Sequence, residues 1–274
     1  MMYRQKNEMR KIFSSMSVIL FSFSLLSCYN RQTGCLDPLS ANFSVTADDA
    51  CNDCCKDPEL ILNIRHLVED KLISPDSVLV NEMGQKYKIL NFAYYLSGFE
   101  VIQSDGTAVT VSESVAFNSN AGIVSTPDDF GIYRRTNVST KLGSVRKFGN
   151  YRSLRFTLGV KDEWQTWTPV DLPLLHPLND SLGLRTTDGM FIHQSITIAK
   201  GDDFEEIITY NLRGPGGSVK YSLDTLFNNA IGTNINLTVK ADYSQWLKNV
   251  NINQTGPDAE IQILENSKQL FSVN

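Results

Sequence analysis

Histidine is scarce in this chain, at three positions only: His66, His176 and His193. Cysteine occurs at Cys28, Cys35, Cys51, Cys54 and Cys55 and nowhere after residue 55. The bulk of the chain therefore has few soft donors to offer a metal. It contains no G-x-S-x-G elbow, no H-E-x-x-H pair and no phosphate-cradling glycine pattern. Gly214-Pro215-Gly216-Gly217 lacks the Lys-Ser/Thr that would follow in a P-loop and reads as a turn. The acidic pairs Asp202-Asp203 and Glu205-Glu206 flank a turn, where solvated charge is the rule. These absences argue against an enzyme. Beyond the N-terminus no run approaches the ~18 apolar residues of a membrane-spanning helix. Nor is there a basic excess: the net charge is -5, which excludes the cationic footprint of a nucleic-acid partner.

The N-terminus carries what the rest lacks. Arg4, Lys6, Arg10 and Lys11 precede a charge-free run from Ile12 to Leu26, too short for a permanent span and patterned as a secretory signal. Leu25-Leu26-Ser27-Cys28 resembles the bacterial lipobox, so residues 1–27 are expected to be removed and Cys28 to receive a lipid. The partner implied is a membrane, reached through an anchor rather than a span. Without the leader the net charge falls to -8.

Residues 28–57 read as a polar tether followed by a small acidic module. In an exporting compartment Cys35, Cys51, Cys54 and Cys55 are expected to form two disulfides. Joining adjacent Cys54 and Cys55 would close a strained ring, so Cys35 and Cys51 each take one of that pair, in either order. A zinc site is the rival, disfavoured by the adjacent cysteines. Asp37, Asp48, Asp49 and Asp53 are candidate oxygen ligands for calcium, although no EF-hand order is present; a solvated acidic loop is the plainer reading.

From Leu60 onward apolar residues alternate. Leu60, Leu62 and Ile64 form one such row; Leu154, Phe156, Leu158 and Val160 another. Ile196 with Ile198, and Ile235, Leu237 and Val239, complete the set. Asp105-Gly106, Asp188-Gly189, Gly201-Asp202 and Gly214–Gly217 punctuate them as hairpin turns. The pattern predicts an all-β fold, an antiparallel β-sandwich over 58–274 behind a disulfide-stapled N-terminal module. Pro127–Phe130 reads as a turn, 112–150 as a loop or short hairpins, and Asp258 as the cap of a short C-terminal helix.

Several pieces resemble a known family. Asn81-Glu82-Met83-Gly84-Gln85-Lys86-Tyr87-Lys88-Ile89, followed by Tyr94-Tyr95-Leu96-Ser97, is similar to the N-x-x-G-x-x-[YF]-x-[IV] and [YF]-[YF]-[IL]-S elements of the MbnP-like family. His66 after the first strand, Phe156-Thr157-Leu158-Gly159-Val160-Lys161-Asp162, His176-Pro177-Leu178 ahead of Asp188-Gly189-Met190-Phe191, and Asn266 with Phe271 follow in the family's order. The cysteine module resembles an acidic repeat of Bacteroidetes secreted proteins. Tyr29-Asn30-Arg31-Gln32 lacks the acidic cluster that resembles their surface-export signal, which points to the periplasmic side of the outer membrane. Asp76-Ser77-Val78, Asp180-Ser181-Leu182 and Asp224-Thr225-Leu226 resemble their O-glycosylation acceptors.

What the resemblance implies is copper held by histidine and an oxidised tryptophan, with a di-haem peroxidase as the envelope partner that makes the latter. The residues depart from this. Met190-Phe191-Ile192-His193 has no tryptophan where members usually carry one, and Asn211 stands where a His-Leu-Gly element would place histidine. His66, His176, His193 and Met190 are the remaining candidate copper ligands, and Trp164, Trp167 and Trp246 the remaining oxidation targets. Two functions follow: a non-catalytic binding or accessory lipoprotein without a resident cofactor, its copper site degenerate, and alternatively a copper-binding protein of the envelope.

Overall fold

The computed structural model describes residues 29–179 and 184–273. The leader, Cys28 and the tripeptide beginning at Asp180 lie outside the described residues. Two compact units are present: residues 29–36 with 44–55, and residues 37–43 with 56–273.

In the smaller unit β1 (Thr33–Gly34) pairs in parallel with β2 (Asp49–Ala50). Disulfides join Cys35 to Cys55 and Cys51 to Cys54. Asp48 accepts from the Tyr29 hydroxyl at 2.7 Å and from the Gln32 N–H at 2.9 Å. Asp49 pairs with Arg31.

The larger unit is built from strands β3 (Glu59–Val68), β4 (Lys71–Leu72), β5 (Leu79–Val80), β6 (Lys86–Gln103), β7 (Ala108–Val109) and β8 (Ser114–Ser119). These continue as β9 (Gly122–Pro127), β10 (Gly131–Arg134), β11 (Ser139–Ser144), β12 (Gly149–Leu158) and β13 (Thr168–Pro169). The chain closes with β14 (Ile192–Lys200), β15 (Glu206–Arg213), β16 (Val219–Asn229), β17 (Ile235–Asp242), helix α1 (Pro257–Asn266) and β18 (Phe271–Ser272).

One sheet runs β15-β14-β6-β12-β16, with β5, β7 and β10 also on the long strand β6. The second runs β11-β3-β17-β18, with β4 on β3. The alternating rows foreseen from sequence are their inner faces, because successive side chains of a strand point to opposite sides. Leu60, Leu62 and Ile64 stand opposite Ile235, Leu237 and Val239 in register, and all six are buried. That β3–β17 pairing is parallel, a departure from an otherwise antiparallel larger unit. The β-sandwich and the disulfide-stapled module are both as the sequence predicts.

Local corrections follow from backbone geometry. Val160 does not continue the β12 row: Gly159 takes φ 107° and ends the strand, and Val160 joins a second apolar cluster with Tyr95, Phe117, Phe130, Trp164 and Phe191. Of the two readings of residues 112–150, the structure shows the short hairpins: the segment holds strands β8 to β11, with β8 and β9 paired antiparallel. The cap of α1 is Gly256, with Pro257 in the first turn, so Asp258 lies within that turn and faces the helix dipole instead of capping it. The face α1 buries is Ala259 and Ile263; Ile261 is exposed.

Candidate functional site

The inward row of β3 continues past Leu60, Leu62 and Ile64 to His66, so period two alone carries an imidazole into the core. There the Asn137 carbonyl, which can only accept, lies 2.8 Å from Nε2 and fixes the proton on that nitrogen. Nδ1 then accepts from the Tyr243 hydroxyl at 2.5 Å, and the Tyr94 hydroxyl, 3.0 Å from the Tyr243 oxygen, donates in turn. Phe92 and Trp246 close over this chain, with ring centroids 4.3 and 4.5 Å from Tyr243. Burial pushes the His66 pKa down and raises the Tyr94 and Tyr243 phenols.

His193 sits at a register shift of β14, where the strand turns a side chain to the other face. It is fully buried. The Val160 N–H donates to Nδ1 at 3.1 Å, and Nε2–H donates to the Gly214 carbonyl at 2.9 Å. Two glycines make room for the ring. A Cβ at Gly159 would lie 2.4 Å from Nδ1, and one at Gly217 would lie 2.6 Å from Cδ2. The Gln165 side chain stands between the ring edge and the Phe191 N–H, which donates to its Oε1 at 3.2 Å. Burial lowers this pKa as well.

His176 is the third. The Leu178 N–H donates to its Nδ1 at 3.1 Å, and Nε2 lies 2.9 Å from Asp128 Oδ1. Beside it Asp129, which the sequence marks only as part of the Pro127–Phe130 turn, is buried with its carboxylate accepting from the Gly98 and Phe99 N–H groups at 2.9 and 2.7 Å. Those donors are freed by an irregularity of β6, where Gly98 takes φ 65°. Desolvation raises the Asp129 pKa to about 6, against the pull of the two N–H groups and Lys161.

A neutral imidazole has one in-plane lone pair to give a metal. In His66, His176 and His193 alike that lone pair already accepts a hydrogen bond at Nδ1. Met190 belongs to a separate turn, its N–H donating to Thr186 Oγ1 at 2.9 Å. Among the described residues no three His, Cys, Asp or Glu side chains gather as a metal-holding group. His66, His176 and His193 form no such group, and each would have to give up its present Nδ1 hydrogen bond to bind a metal through that nitrogen.

Most of the remaining candidates have protein partners too. Trp246 is fully buried and donates from Nε1 to Gln194 Oε1 at 3.1 Å. Trp164 is buried against Phe117 and Phe130, under Lys161, whose Nζ lies 4.7 Å from the ring centroid. Trp167 is half-buried. Asp37 belongs to the larger unit, where it pairs with Arg146, and Asp48 and Asp49 are engaged within the smaller one. Asp53 takes a left-handed φ of 57°. Close to the Trp164 turn lies a pocket of about 220 Å³ lined by Thr168, Pro169, Leu172, Leu178, Asn179 and Arg185.

A family model described as MbnP matches residues 57–263. Among solved structures, MbnP from Methylosinus trichosporium is similar at 14% identity and a TM-score of 0.44, over 74% of this chain and 82% of that one. No curated protein matches.

Proposed function

Because this chain belongs to the MbnP family, we propose that it serves as a non-catalytic binding or accessory protein of the cell envelope in which the family's copper site has degenerated. The observation that carries this reading is the occupation of every candidate imidazole: Tyr243, Leu178 and Val160 already donate to the Nδ1 atoms a metal would need. Displacing such a donor in the interior would leave it unpaired, at a cost of about 1–3 kcal/mol each. The engagement of Asp37 with Arg146 and of Asp48 with Tyr29 and Gln32 likewise supports leaving calcium out.

Anchoring through Cys28 to the outer membrane, on its periplasmic side, belongs to the same reading and is supported by the basic leader, the apolar run and Leu25-Leu26-Ser27-Cys28. Among the described residues no helix is long and apolar enough to cross a membrane. A binding role places function on loops carried by a rigid sandwich, and the pocket lined by Thr168, Leu172 and Arg185 is the surface favoured here. With the family's copper ligands degenerate, the di-haem peroxidase of the resemblance has no tryptophan to process at the position beside Met190.

The test is copper loading of the chain from residue 29 onward with Cu(I) and Cu(II), followed by dialysis and elemental analysis. Substoichiometric metal and no nitrogen hyperfine structure in the Cu(II) spectrum are expected. Stoichiometric copper, lost in His66→Ala or His193→Ala, would overturn the reading. Radiolabelled palmitate incorporated by the full chain but not by Cys28→Ser checks the anchor; equal labelling removes it.

A further inference from the structure

We propose that the Cys51–Cys54 disulfide is a thiol-exchange site, which low-molecular-weight thiols open and which recloses while the module around it stays folded. The two disulfides differ in what they enclose. Cys35–Cys55 spans a sequence separation of 20, whereas Cys51–Cys54 spans 3 and encloses only Asn52 and Asp53. Opening the shorter one frees only that two-residue turn, whereas opening the longer one releases the link across the module.

Burial points the same way. Cys35 is 1% exposed, and freeing it would leave a thiol held inside the unit, still beside Cys55. Cys51 and Cys54 are half-buried, on either side of the exposed Asn52 and Asp53.

The fold of the module does not run through the small loop. The β1–β2 bridge joins Thr33–Gly34 to Asp49–Ala50. The Cys51 N–H donates to the Gly34 carbonyl at 2.9 Å, and the Ser44 N–H to the Cys35 carbonyl at 2.8 Å. Asp48 and Asp49 are tied to Tyr29, Gln32 and Arg31. All of these survive loss of the Cys51–Cys54 bond. The Cα atoms stand 5.7 Å apart, an ordinary span for a disulfide, so the dithiol can reclose without backbone movement. Cys54 cannot instead capture its neighbour Cys55 without closing a strained ring.

The chemistry balances with two thiols. A thiolate attacks one sulfur of the pair, forms a mixed disulfide and expels the other cysteine as thiolate. A second thiol attacks the mixed disulfide, leaving as the oxidised dimer of the small thiol and depositing two electrons as the Cys51 and Cys54 thiols; reclosure runs the same two exchanges backwards, with that small-molecule disulfide as the oxidant and two small thiols as the products.

The full chain carrying Cys28→Ser, which removes the fifth thiol, is equilibrated in glutathione buffers, quenched with acid, alkylated and mapped by mass spectrometry. Cys51 and Cys54 should be labelled together and fully at reducing ratios that leave Cys35 and Cys55 unlabelled, with the circular dichroism spectrum unchanged between the two steps. Labelling of Cys35 and Cys55 first, of all four at once, or of none before denaturation overturns the proposal, as does loss of the spectrum at the first step. The Cys51→Ala/Cys54→Ala double variant should keep that spectrum and take up no label at the lower ratio; label there overturns it too.

Discussion

Gly159 and His193 touch so closely that the imidazole fits only because residue 159 has no side chain: an added methyl would lie 2.4 Å from Nδ1. Glycine is required twice at this position, since φ 107° is also a conformation that other residues avoid. Gly159→Ala is expected to cost about 2–3 kcal/mol through overpacking and backbone strain. Gly189→Ala supplies the comparison. It has φ 84° with nothing within 4 Å of the added Cβ, so only the conformational cost of about 1 kcal/mol remains. Urea unfolding of the two variants measures the gap; equal losses would mean the His193 contact carries no weight.

The hydrogen-bonded chain Tyr94–Tyr243–His66–Asn137 makes a second prediction. Tyr243→Phe removes the donor to Nδ1, and His66→Leu removes the acceptor for the hydroxyl, each leaving a buried polar group unpaired at about 1–3 kcal/mol. The double variant leaves fewer orphans than the sum of the two, so a coupling of about 1–2 kcal/mol should emerge from the mutant cycle. Strict additivity would show that His66 and Tyr243 are neighbours without a shared bond.

Much of this arrangement can be read in the chain beforehand, for reasons that differ by residue. Period two extends from Leu60 through Ile64 to His66, so the inward direction of that histidine follows from the strand itself. The hairpin turns at Asp105-Gly106 and Gly201-Asp202 were marked because positive φ selects glycine there, whereas Gly214–Gly217, also a turn with positive φ, joins β15 to β16 at opposite edges of the sheet and closes no hairpin. The N-x-x-G element beginning at Asn81 proves to be a turn in which the Asn81 side chain accepts from the Met83 and Gln85 N–H groups and donates to the Val250 carbonyl. Asn266 likewise donates to the Trp246 and Lys248 carbonyls. These positions hold the fold, so the motifs that carry the family resemblance reflect architecture more than ligand chemistry. What stayed hidden is what depends on distant partners. Tyr243 meets His66 across a separation of 177 residues, and Asp129 caps β6 donors 30 residues upstream; neither leaves a local pattern.

Asp129 and the two buried histidines should oppose each other in the pH dependence of stability. The Asp129 pKa rises from 3.8 to about 6 on folding. The native state therefore holds a proton that the unfolded chain releases, and this contribution is present at low pH and lost as pH rises through about 6. His66 and His193 are lowered from 6.5. Below that value the unfolded chain binds protons more readily at these two positions than the native state does, so their contribution falls on acidification. Just below pH 6 the histidines and Asp129 therefore act in opposite directions. Asp129→Asn removes the opposing contribution, so unfolding free energy should rise more steeply with pH between 3.8 and about 6 than in the parent chain, whatever the variant's absolute stability. A slope that stays the same or becomes shallower would mean that Asp129 titrates as an exposed carboxylate does.

Tryptophan oxidation separates the three indoles by their surroundings. Trp246 is fully buried with its Nε1–H bonded to Gln194, Trp164 is buried beneath Lys161 and between phenylalanines, and Trp167 alone is half-buried. N-bromosuccinimide reacts with indole edges it can reach, so under native conditions it should modify Trp167 first and spare the other two until the sandwich unfolds. Peptide mapping after a stoichiometric dose reads the order directly. Early loss of Trp246 would require the aromatic cluster of Phe92, Tyr94 and Tyr243 to open, and the same opening would expose the His66 imidazole whose occupied Nδ1 argues against copper. The oxidation order therefore tests the packing on which the degenerate-site reading stands, without any metal being added.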